Sequence, residues 1–179
     1  MVKKRFRVEE DSLGKIKVPF NALYGAQTQR AIENFPVSGI SFNFPFTNTF
    51  ISILGVIKDA ASRANKNLGL LDSKRAAAIS KASKEVTSNK HDSQFPIDIF
   101  QTGSGTSTNM NANEVIANLA SKSSGLEVDP NDHVNMSQSS NDVIPTAINM
   151  SCHYDLEKKL MPNLDELIKT INFKSKELK

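Results

Sequence analysis

The sequence lacks the features that mark disulfide-bonded, membrane-spanning and nucleic-acid-binding proteins. Its single cysteine, Cys152, excludes an internal disulfide and is compatible with the reducing conditions of the cytoplasm. No apolar stretch approaches the roughly 20 residues that a membrane-spanning helix needs. The 22 basic and 19 acidic residues leave a net charge of +3, too small and too scattered to indicate a nucleic-acid or membrane partner. We therefore predict a cytoplasmic protein without nucleic-acid or membrane partners.

Metal and nucleotide motifs are also missing from the sequence. His91, His133 and His153 are isolated from one another and do not have the spacing of metal ligands. GSGTST at residues 103–108 is not a phosphate-binding loop, because no Gly-Lys-Ser/Thr follows it. Thr108 occupies the third glycine position of a dinucleotide-binding fingerprint, so that motif fails too. We predict neither a metal nor a cofactor.

The hydrophobic pattern predicts a mainly α-helical fold with a short irregular or β start. With 179 residues, 39% of them hydrophobic and 23% charged, the chain has the composition of an ordinary globular protein with one domain, or one domain plus an extension. Residues 6–19 alternate loosely around an Asp-Ser-Leu-Gly turn and predict a hairpin. Residues 20–46 predict irregular structure with at most a short helix over 26–34.

Four longer helices are predicted from apolar residues spaced three or four apart. They run from Thr47 to Asn67, from a cap at Asp72 onward, from Thr106 to Ser121 and from Val143 towards the C-terminus. Residues 90–103 and 122–141 are predicted to be loops. On the third helix the apolar stripe is Ala112, Val115, Ile116 and Leu119. We expect its polar start to point away from that stripe, where a ligand could reach it.

The last predicted helix carries a long apolar stripe. Its members are Ile148, Cys152, Leu156, Leu160, Leu164, Leu167 and Ile171. A stripe of this length needs partner helices, so an exposed face here predicts an association surface. Because Cys152 lies on the stripe, we expect a buried thiol. Pro162 should kink the helix slightly or free the carbonyl four residues earlier.

Two polar segments indicate a binding site. GSGTSTNMNANE at 103–114 and NDHVNMSQSSND at 131–142 are crowded with hydroxyls and carboxamides, and each leads into a predicted helix. Uncapped amides and the positive dipole end make a helix start suitable for an anion. Two such starts predict a ligand with two carboxylates, held mainly by neutral donors. The alternative is ordinary N-capping by Ser, Thr and Asn, and the two segments alone do not exclude it.

The two segments resemble those of the fumarase and aspartase superfamily, most closely of class II fumarate hydratases. VEEDSLGKIKVP and LYGAQTQRAIENFP, within residues 8–36, resemble the opening of that family. NLGLLDSKRAAAI at 67–79 and HDSQFPIDIFQTGSGT at 91–106 continue the resemblance, which covers essentially the whole chain in order. It implies the family's N-terminal domain over residues 1–141. Residues 142–179 would then be the truncated start of the central helical bundle.

The resemblance also implies an activity and the residues that serve it. Family members interconvert fumarate and (S)-malate by anti addition or elimination of water, without a metal, nucleotide or flavin. The substrate-binding residues implied for this chain are Ser104, Gly105, Thr106, Ser139, Ser140 and Asn141. The catalytic acid and base of the family are expected beyond Lys179, so no catalytic residue is assigned within the chain. Because a family active site combines regions from three subunits of a homotetramer, we expect the isolated chain to be inactive.

A secondary dicarboxylate site of the family matches Asp129, Pro130, Asn131 and Asp132, with two departures. Asp129 stands where the family usually has histidine, and Leu126 replaces a family arginine. Losing two potential cations should weaken an anion site, so a structural turn is the favoured interpretation.

Two other functions remain open at the level of sequence. An aspartase is less favoured, because SSND at 139–142 and QTGSGT at 101–106 have serine at positions typical of fumarases. A truncated, non-catalytic paralogue that acts as an interaction subunit would also be consistent with the apolar stripe of the last helix.

Overall fold

The computed structural model describes residues 5–42 and 49–178, which form a short hairpin followed by a helical fold. Strands β1 (Phe6–Asp11) and β2 (Gly14–Pro19) pair antiparallel, with Phe6 opposite Pro19 and Asp11 opposite Gly14. Helix α1 (Ala26–Asn34) follows the hairpin. The predicted hairpin and short helix are both confirmed. The end of the predicted irregular stretch, at 43–46, lies outside the described residues.

Five longer helices complete the described part of the chain. They are α2 (Thr49–Asn67), α3 (Ser73–Thr87), α4 (Thr106–Ser124), α5 (Ser140–Asp155) and α6 (Met161–Glu177). The predicted start of α2 at Thr47 lies outside the described residues, whereas its end is confirmed. Asp72 caps α3 as predicted, because its carboxylate accepts hydrogen bonds from the amides of Lys74 and Arg75.

The predicted loops contain short turns of helix. A 3₁₀ turn, Asp92–Gln94, lies within 90–103, and a π-helical turn, Pro130–Val134, lies within 122–141. α5 begins three residues earlier than Val143, where the sequence pattern placed its start. The earlier start follows from the cap at Ser139, whose hydroxyl accepts from the amide of Asn141 at 3.2 Å.

Helices α2, α3, α4 and α5 enclose the hydrophobic core. Its fully buried members include Ile51, Leu54, Ile79, Ala112, Val115, Ile116 and Ala147. Gly55 lets α2 approach α3 closely, because a Cβ there would lie 2.6 Å from Oγ1 of Thr87 and 2.8 Å from the carbonyl oxygen of Ser83. Glycine at this position therefore allows α2 to pack closely on α3.

Helix α4 is buried on nearly every side, which the apolar stripe alone did not predict. Ala112, Val115 and Ile116 are buried as expected, and Leu119 packs against the core. However, every residue from Thr108 to Ala117 is also buried, including three asparagines. The expectation of a ligand-facing polar side was therefore wrong beyond Ser107. The reason is that α4 is central and contacts α1, α3 and α5.

Helix α5 continues into α6 through a π-helical segment, Leu156–Leu160. This segment ends two residues before Pro162, which lacks an amide donor, so the predicted local disturbance is confirmed. The apolar stripe is exposed as predicted, and no residue of α6 is buried. Cys152 is exposed as well, and the expected burial was wrong because its stripe is not covered by a partner helix within the described residues. None of the described helices is long and apolar enough to cross a membrane.

Candidate functional site

The starts of α4 and α5 lie against each other and bring the two predicted segments together. Gly105 precedes α4 in a left-handed conformation, with φ of 67°. A Cβ on Gly105 would lie 3.0–3.2 Å from side-chain carbons of Ile144, in the second turn of α5. Glycine is therefore suited to this position both by its backbone conformation and by the close packing.

The first segment presents hydroxyls that do not cap α4. The hydroxyl oxygens of Ser104 and Thr106 lie 2.9 Å apart, and both residues are exposed. Capping is instead provided by Gln101, whose Oε1 accepts from the amide of Thr108 at 2.8 Å and whose Nε2 donates to the Thr108 hydroxyl at 2.5 Å. The first amides of α4, at Thr106 and Ser107, have no acceptor within the helix. Both hydroxyls and amides thus remain available to an anion.

The second segment combines capping with exposed polar groups. The hydroxyl of Ser139 caps α5, as the N-capping alternative predicted. Ser140 is partly exposed, and its hydroxyl oxygen accepts from Nδ2 of Asn109 at 2.9 Å. Because that oxygen is already an acceptor, the hydroxyl proton of Ser140 is free to be donated outward. Asn141 is exposed beside it.

A buried polar network lies beneath the second segment. Lys58 on α2 is 0% exposed, and its Nζ donates to Oδ1 of Asn135 at 3.0 Å and to Oε1 of Gln138 at 2.8 Å. Oδ1 of Asn135 also accepts from Nδ2 of Asn109 at 3.2 Å. Sequence reasoning missed these residues and Gln101. A signal for Lys58 was its position one helical turn after Leu54, on the buried side of α2.

The electrostatic character of this region suits an anion. Two helix starts direct their positive dipole ends towards it. Burial lowers the pKa of Lys58 to about 7, so a buried ammonium is present in a substantial fraction of molecules at neutral pH. The side-chain donors closest to the surface, in Ser104, Thr106 and Ser140, are neutral. Such an arrangement can bind carboxylates and stabilise negative charge that develops on them.

The loop proposed from sequence as a secondary site is a self-contained turn. The carboxylate of Asp129 accepts from the amides of Asn131 and Asp132 at 2.7 and 2.8 Å. The amide of Asp129 donates to Nδ1 of His133 at 2.8 Å. Asp129, Pro130 and Asn131 line a cavity of about 880 Å³ whose walls carry five carboxylates and one guanidinium, that of Arg30, which is paired with Asp11. The carboxylates belong to Glu9, Glu10, Asp11, Glu114 and Asp129. The capping bonds occupy the loop amides, and the acidic walls disfavour an anion.

Comparison with known proteins identifies the family to which the chain belongs. A family model described as "Lyase" matches residues 14–179. A class II fumarate hydratase of Halobacterium salinarum is 54% identical over 175 residues, covering 95% of this chain and 36% of that protein. A class II fumarate hydratase of Corynebacterium glutamicum is 50% identical over 177 residues, covering 99% of this chain and 36% of that protein.

A solved structure agrees with these sequence matches. The crystal structure of a recombinant class II fumarase from Schistosoma mansoni superposes with a TM-score of 0.89 at 45% identity, covering 97% of this chain and 37% of that chain. The chain therefore spans about a third of the length of the relatives that it matches. Since the family match extends over most of the sequence and the fold agrees, this chain belongs to the lyase family and resembles a portion of the class II fumarate hydratases.

Proposed function

We propose that this chain is the carboxylate-binding portion of a fumarate hydratase, which interconverts fumarate and (S)-malate. The observation that supports this most strongly is the packing of Gly105 on Ile144, which places two donor-rich helix starts side by side. The names of the relatives, all class II fumarate hydratases at about 50% identity, supply the substrate and reaction.

In this proposal the six residues of the two segments bind the two substrate carboxylates. Ser104, Gly105 and Thr106 offer hydroxyls and helix-start amides to one of them. Ser139 and Ser140 offer hydroxyl protons and Asn141 its side-chain amide to the other, since the backbone amide of Asn141 already donates to Ser139 and the Ser140 oxygen accepts from Asn109. Removal of a proton beside a carboxylate creates additional negative charge on that carboxylate, and preorganised donors stabilise it.

The catalytic acid and base are proposed to lie in sequence beyond Lys179, as the resemblance to the family implies. Neutral donors can hold and polarise a dicarboxylate, but they do not abstract a carbon-bound proton at useful rates. The chain alone is therefore expected to bind substrate weakly and not to turn it over.

The exposed apolar stripe of α5 and α6 supports assembly of the chain into a homotetramer, because a stripe of this length needs partner helices. Leu164, Leu167 and Ile171 are 41%, 53% and 58% exposed on α6. Replacing all three by glutamine should abolish self-association of the chain in sedimentation experiments, because it removes apolar area from the proposed bundle interface. Replacing the exposed polar residues Asn163, Glu166 and Lys169 of the same helix by glutamine is the control and should leave association unchanged.

The domain division, the role of the 129–132 loop and the cellular location are also proposed. Residues 1–141 are proposed as the N-terminal lyase domain and 142–179 as the start of the bundle domain. The Asp129–Asp132 loop is proposed to serve mainly as a structural turn and at most as a weak secondary site, because Asp129 caps its amides. A cytoplasmic location is proposed from the single cysteine.

Aspartase activity and a non-catalytic interaction role are the remaining alternatives. The relatives named as fumarate hydratases favour hydration over aspartate deamination. A chain that associates with a complete fumarate hydratase but binds no dicarboxylate would support the interaction role instead.

The test of the proposal is a fumarate titration of the isotope-labelled chain followed by NMR. Amide resonances of residues 104–106 and 139–141 should shift together at millimolar fumarate, and sodium chloride at equal ionic strength should not reproduce the pattern. Ser140→Ala should weaken fumarate binding at least about fivefold, since it removes one hydrogen bond to a charged group. Ser123→Ala, in an exposed position on α4, is the matched control. Shifts spread over other surfaces, with neither segment affected, would contradict the proposal.

A further inference from the structure

Lys58 is a buried cation in the middle of the fold. It is the largest fully buried side chain of the described residues, at 0% exposure. It lies on α2 in a helix face that otherwise contributes Ile51 and Leu54 to the core. Burying an ammonium in such a position costs free energy of desolvation, unless an opposite charge lies nearby and its N–H groups find hydrogen-bond acceptors.

The hydrogen-bond partners of Lys58 are neutral. Its Nζ donates to the carboxamide oxygens of Asn135 and Gln138 at 3.0 and 2.8 Å. No ion pair of Lys58 is found within residues 5–42 and 49–178. The carboxylates on α2 and the elements packed around it are engaged elsewhere or exposed. Three of these carboxylates form ion pairs: Asp59 with Arg63, Glu85 with His91 and Asp155 with Lys159. The carboxylate of Glu114 accepts from the backbone amides of Gly25, Gln27 and Thr28. Asp132 and Asp142 are exposed.

The ammonium is joined to the candidate site through two carboxamides. Oδ1 of Asn135 accepts from both Lys58 and Nδ2 of Asn109. Nδ2 of Asn109 in turn donates to the hydroxyl oxygen of Ser140 at 2.9 Å. These bonds fix the direction of each donor, so that Ser140 has its own proton left to donate. Asn135 and Gln138 also belong to the loop that leads directly into Ser139 and Ser140.

Packing alone does not account for a lysine at this position. A methionine has a similar length and would fill the space without desolvating a charge. The feature that lysine adds is a positive charge next to the segment proposed to bind a carboxylate. A dianion bound above Ser140 would supply the missing counter-charge.

We propose that Lys58 is a positioning residue for the dicarboxylate site. Its ammonium complements the charge of the bound dianion, and its bonds to Asn135 and Gln138 hold Ser140 as an outward donor. This inference rests on the proposed function, because it assumes that residues 139–141 bind a carboxylate. It assigns a role to a residue that does not itself touch the ligand.

The titration of Lys58 provides a readout specific to charge. Burial lowers its pKa to about 7. A dianion nearby favours the charged form of the lysine and raises that pKa. Binding near neutral pH is therefore accompanied by uptake of a proton at Nζ. A lysine with a purely structural role would titrate identically with and without ligand.

The experiment uses the full 179-residue chain and succinate, a dicarboxylate that has neither the double bond nor the hydroxyl needed for reaction. Amide shifts of residues 104–106 and 139–141 report binding, and the Cε resonance of Lys58 reports its protonation. Lys58→Met should weaken succinate binding at least about tenfold, because it removes a buried positive charge from beneath the segment proposed to bind the dianion. Lys66→Met, at an exposed position of the same helix, should change it less than about twofold.

The second measurement is the titration midpoint of Lys58 in the parent chain. Succinate should move this midpoint upward, and sodium chloride at equal ionic strength should not. A folded Lys58→Met chain that binds succinate as tightly as the parent overturns the inference and leaves the proposed function intact. If this variant does not fold, the midpoint decides, and a midpoint unmoved by bound succinate overturns the inference. Absence of succinate shifts at both segments of the parent chain would overturn the proposed function, and this inference with it.

Discussion

Nδ2 of Asn109 lies 2.9 Å from the hydroxyl oxygen of Ser140, linking the buried side of α4 directly to the first turn of α5. Asn109 is 0% exposed, whereas Ser140 is partly exposed, so the bond connects the interior to the candidate site. The same nitrogen donates to Asn135, which also binds Lys58. The orientation of the Ser140 hydroxyl is thus set by a network that contains two fully buried residues, Asn109 and Lys58.

Asn109→Ala should lower the free energy of unfolding by about 1–3 kcal/mol, because it removes donors to two buried or partly buried acceptors and leaves a small void. Urea unfolding of the chain measures this change. Asn118→Ala, on the same helix but partly exposed, is the control and should cost less than half as much. Equal losses for both variants would show that the Asn109 bonds contribute nothing specific.

Gly105→Ala should destabilise the chain by about 1–2 kcal/mol, because alanine is strained at positive φ and its Cβ would press against Ile144. The control is Gly103→Ala, where a Cβ would meet no atom within 4 Å. The two variants are compared by urea unfolding at the same pH. If Gly103→Ala proves as destabilising as Gly105→Ala, the close approach of α4 and α5 is not as described.

Asp98 should make the chain sensitive to acid. Burial raises its pKa, but hydrogen bonds from the amides of Phe100, Ser38 and Gly39 and from the Ser38 hydroxyl outweigh burial and lower the pKa to about 2. In the unfolded chain an aspartate titrates at about 3.9. The stabilisation is therefore present above about pH 4 and is lost as the pH falls towards 2.

The measurement for Asp98 is the free energy of unfolding from pH about 6 down to about 2. Asp98→Asn should be less stable than the parent at pH about 6, and the difference should shrink across the acid window. Asp165→Asn, on the exposed face of α6, provides the comparison and should follow the parent at every pH. A constant difference between Asp98→Asn and the parent would mean that the ionised carboxylate is not what stabilises the contact.

Lys58 should add a second rise of stability with pH, in a higher pH window than Asp98. Because burial lowers its pKa to about 7, the unfolded chain holds a proton between about pH 7 and pH 10 that the folded chain has released. Stability should therefore rise with pH across this window. Lys58→Met should remove that rise, and Lys66→Met should retain it. Parallel curves for the parent and Lys58→Met would exclude an unfavourable buried charge.

The local elements could be predicted from the sequence because their signals are local. The hairpin turn, the cap at Asp72 and the apolar spacing between Thr47 and Asn67 each depend on neighbouring residues. The effect of Pro162 was predictable for the same reason, since proline acts on the turn that precedes it. The two polar segments were found because each combines a polar run with a helix start.

The residues that support the site could not be found in this way, because their roles depend on contacts between distant parts of the chain. Lys58 meets Asn135 only after α2 packs beneath the loop that precedes α5. The asparagines of α4 look like surface residues in sequence, and burial becomes apparent only once α4 is surrounded by other helices. Cys152 was expected to be buried but is exposed. Apolar spacing indicates which face of a helix is apolar, but not whether a partner covers that face.

The most direct test of the central claim is fumarate hydration by a hybrid protein. In this hybrid the chain replaces the matching segment of the Corynebacterium glutamicum fumarate hydratase, which is 50% identical over 177 residues. The purified hybrid should hydrate fumarate and leave aspartate unchanged, whereas the 179-residue chain alone should do neither. An assembled hybrid without hydratase activity, or turnover of fumarate by the chain alone, would contradict the account.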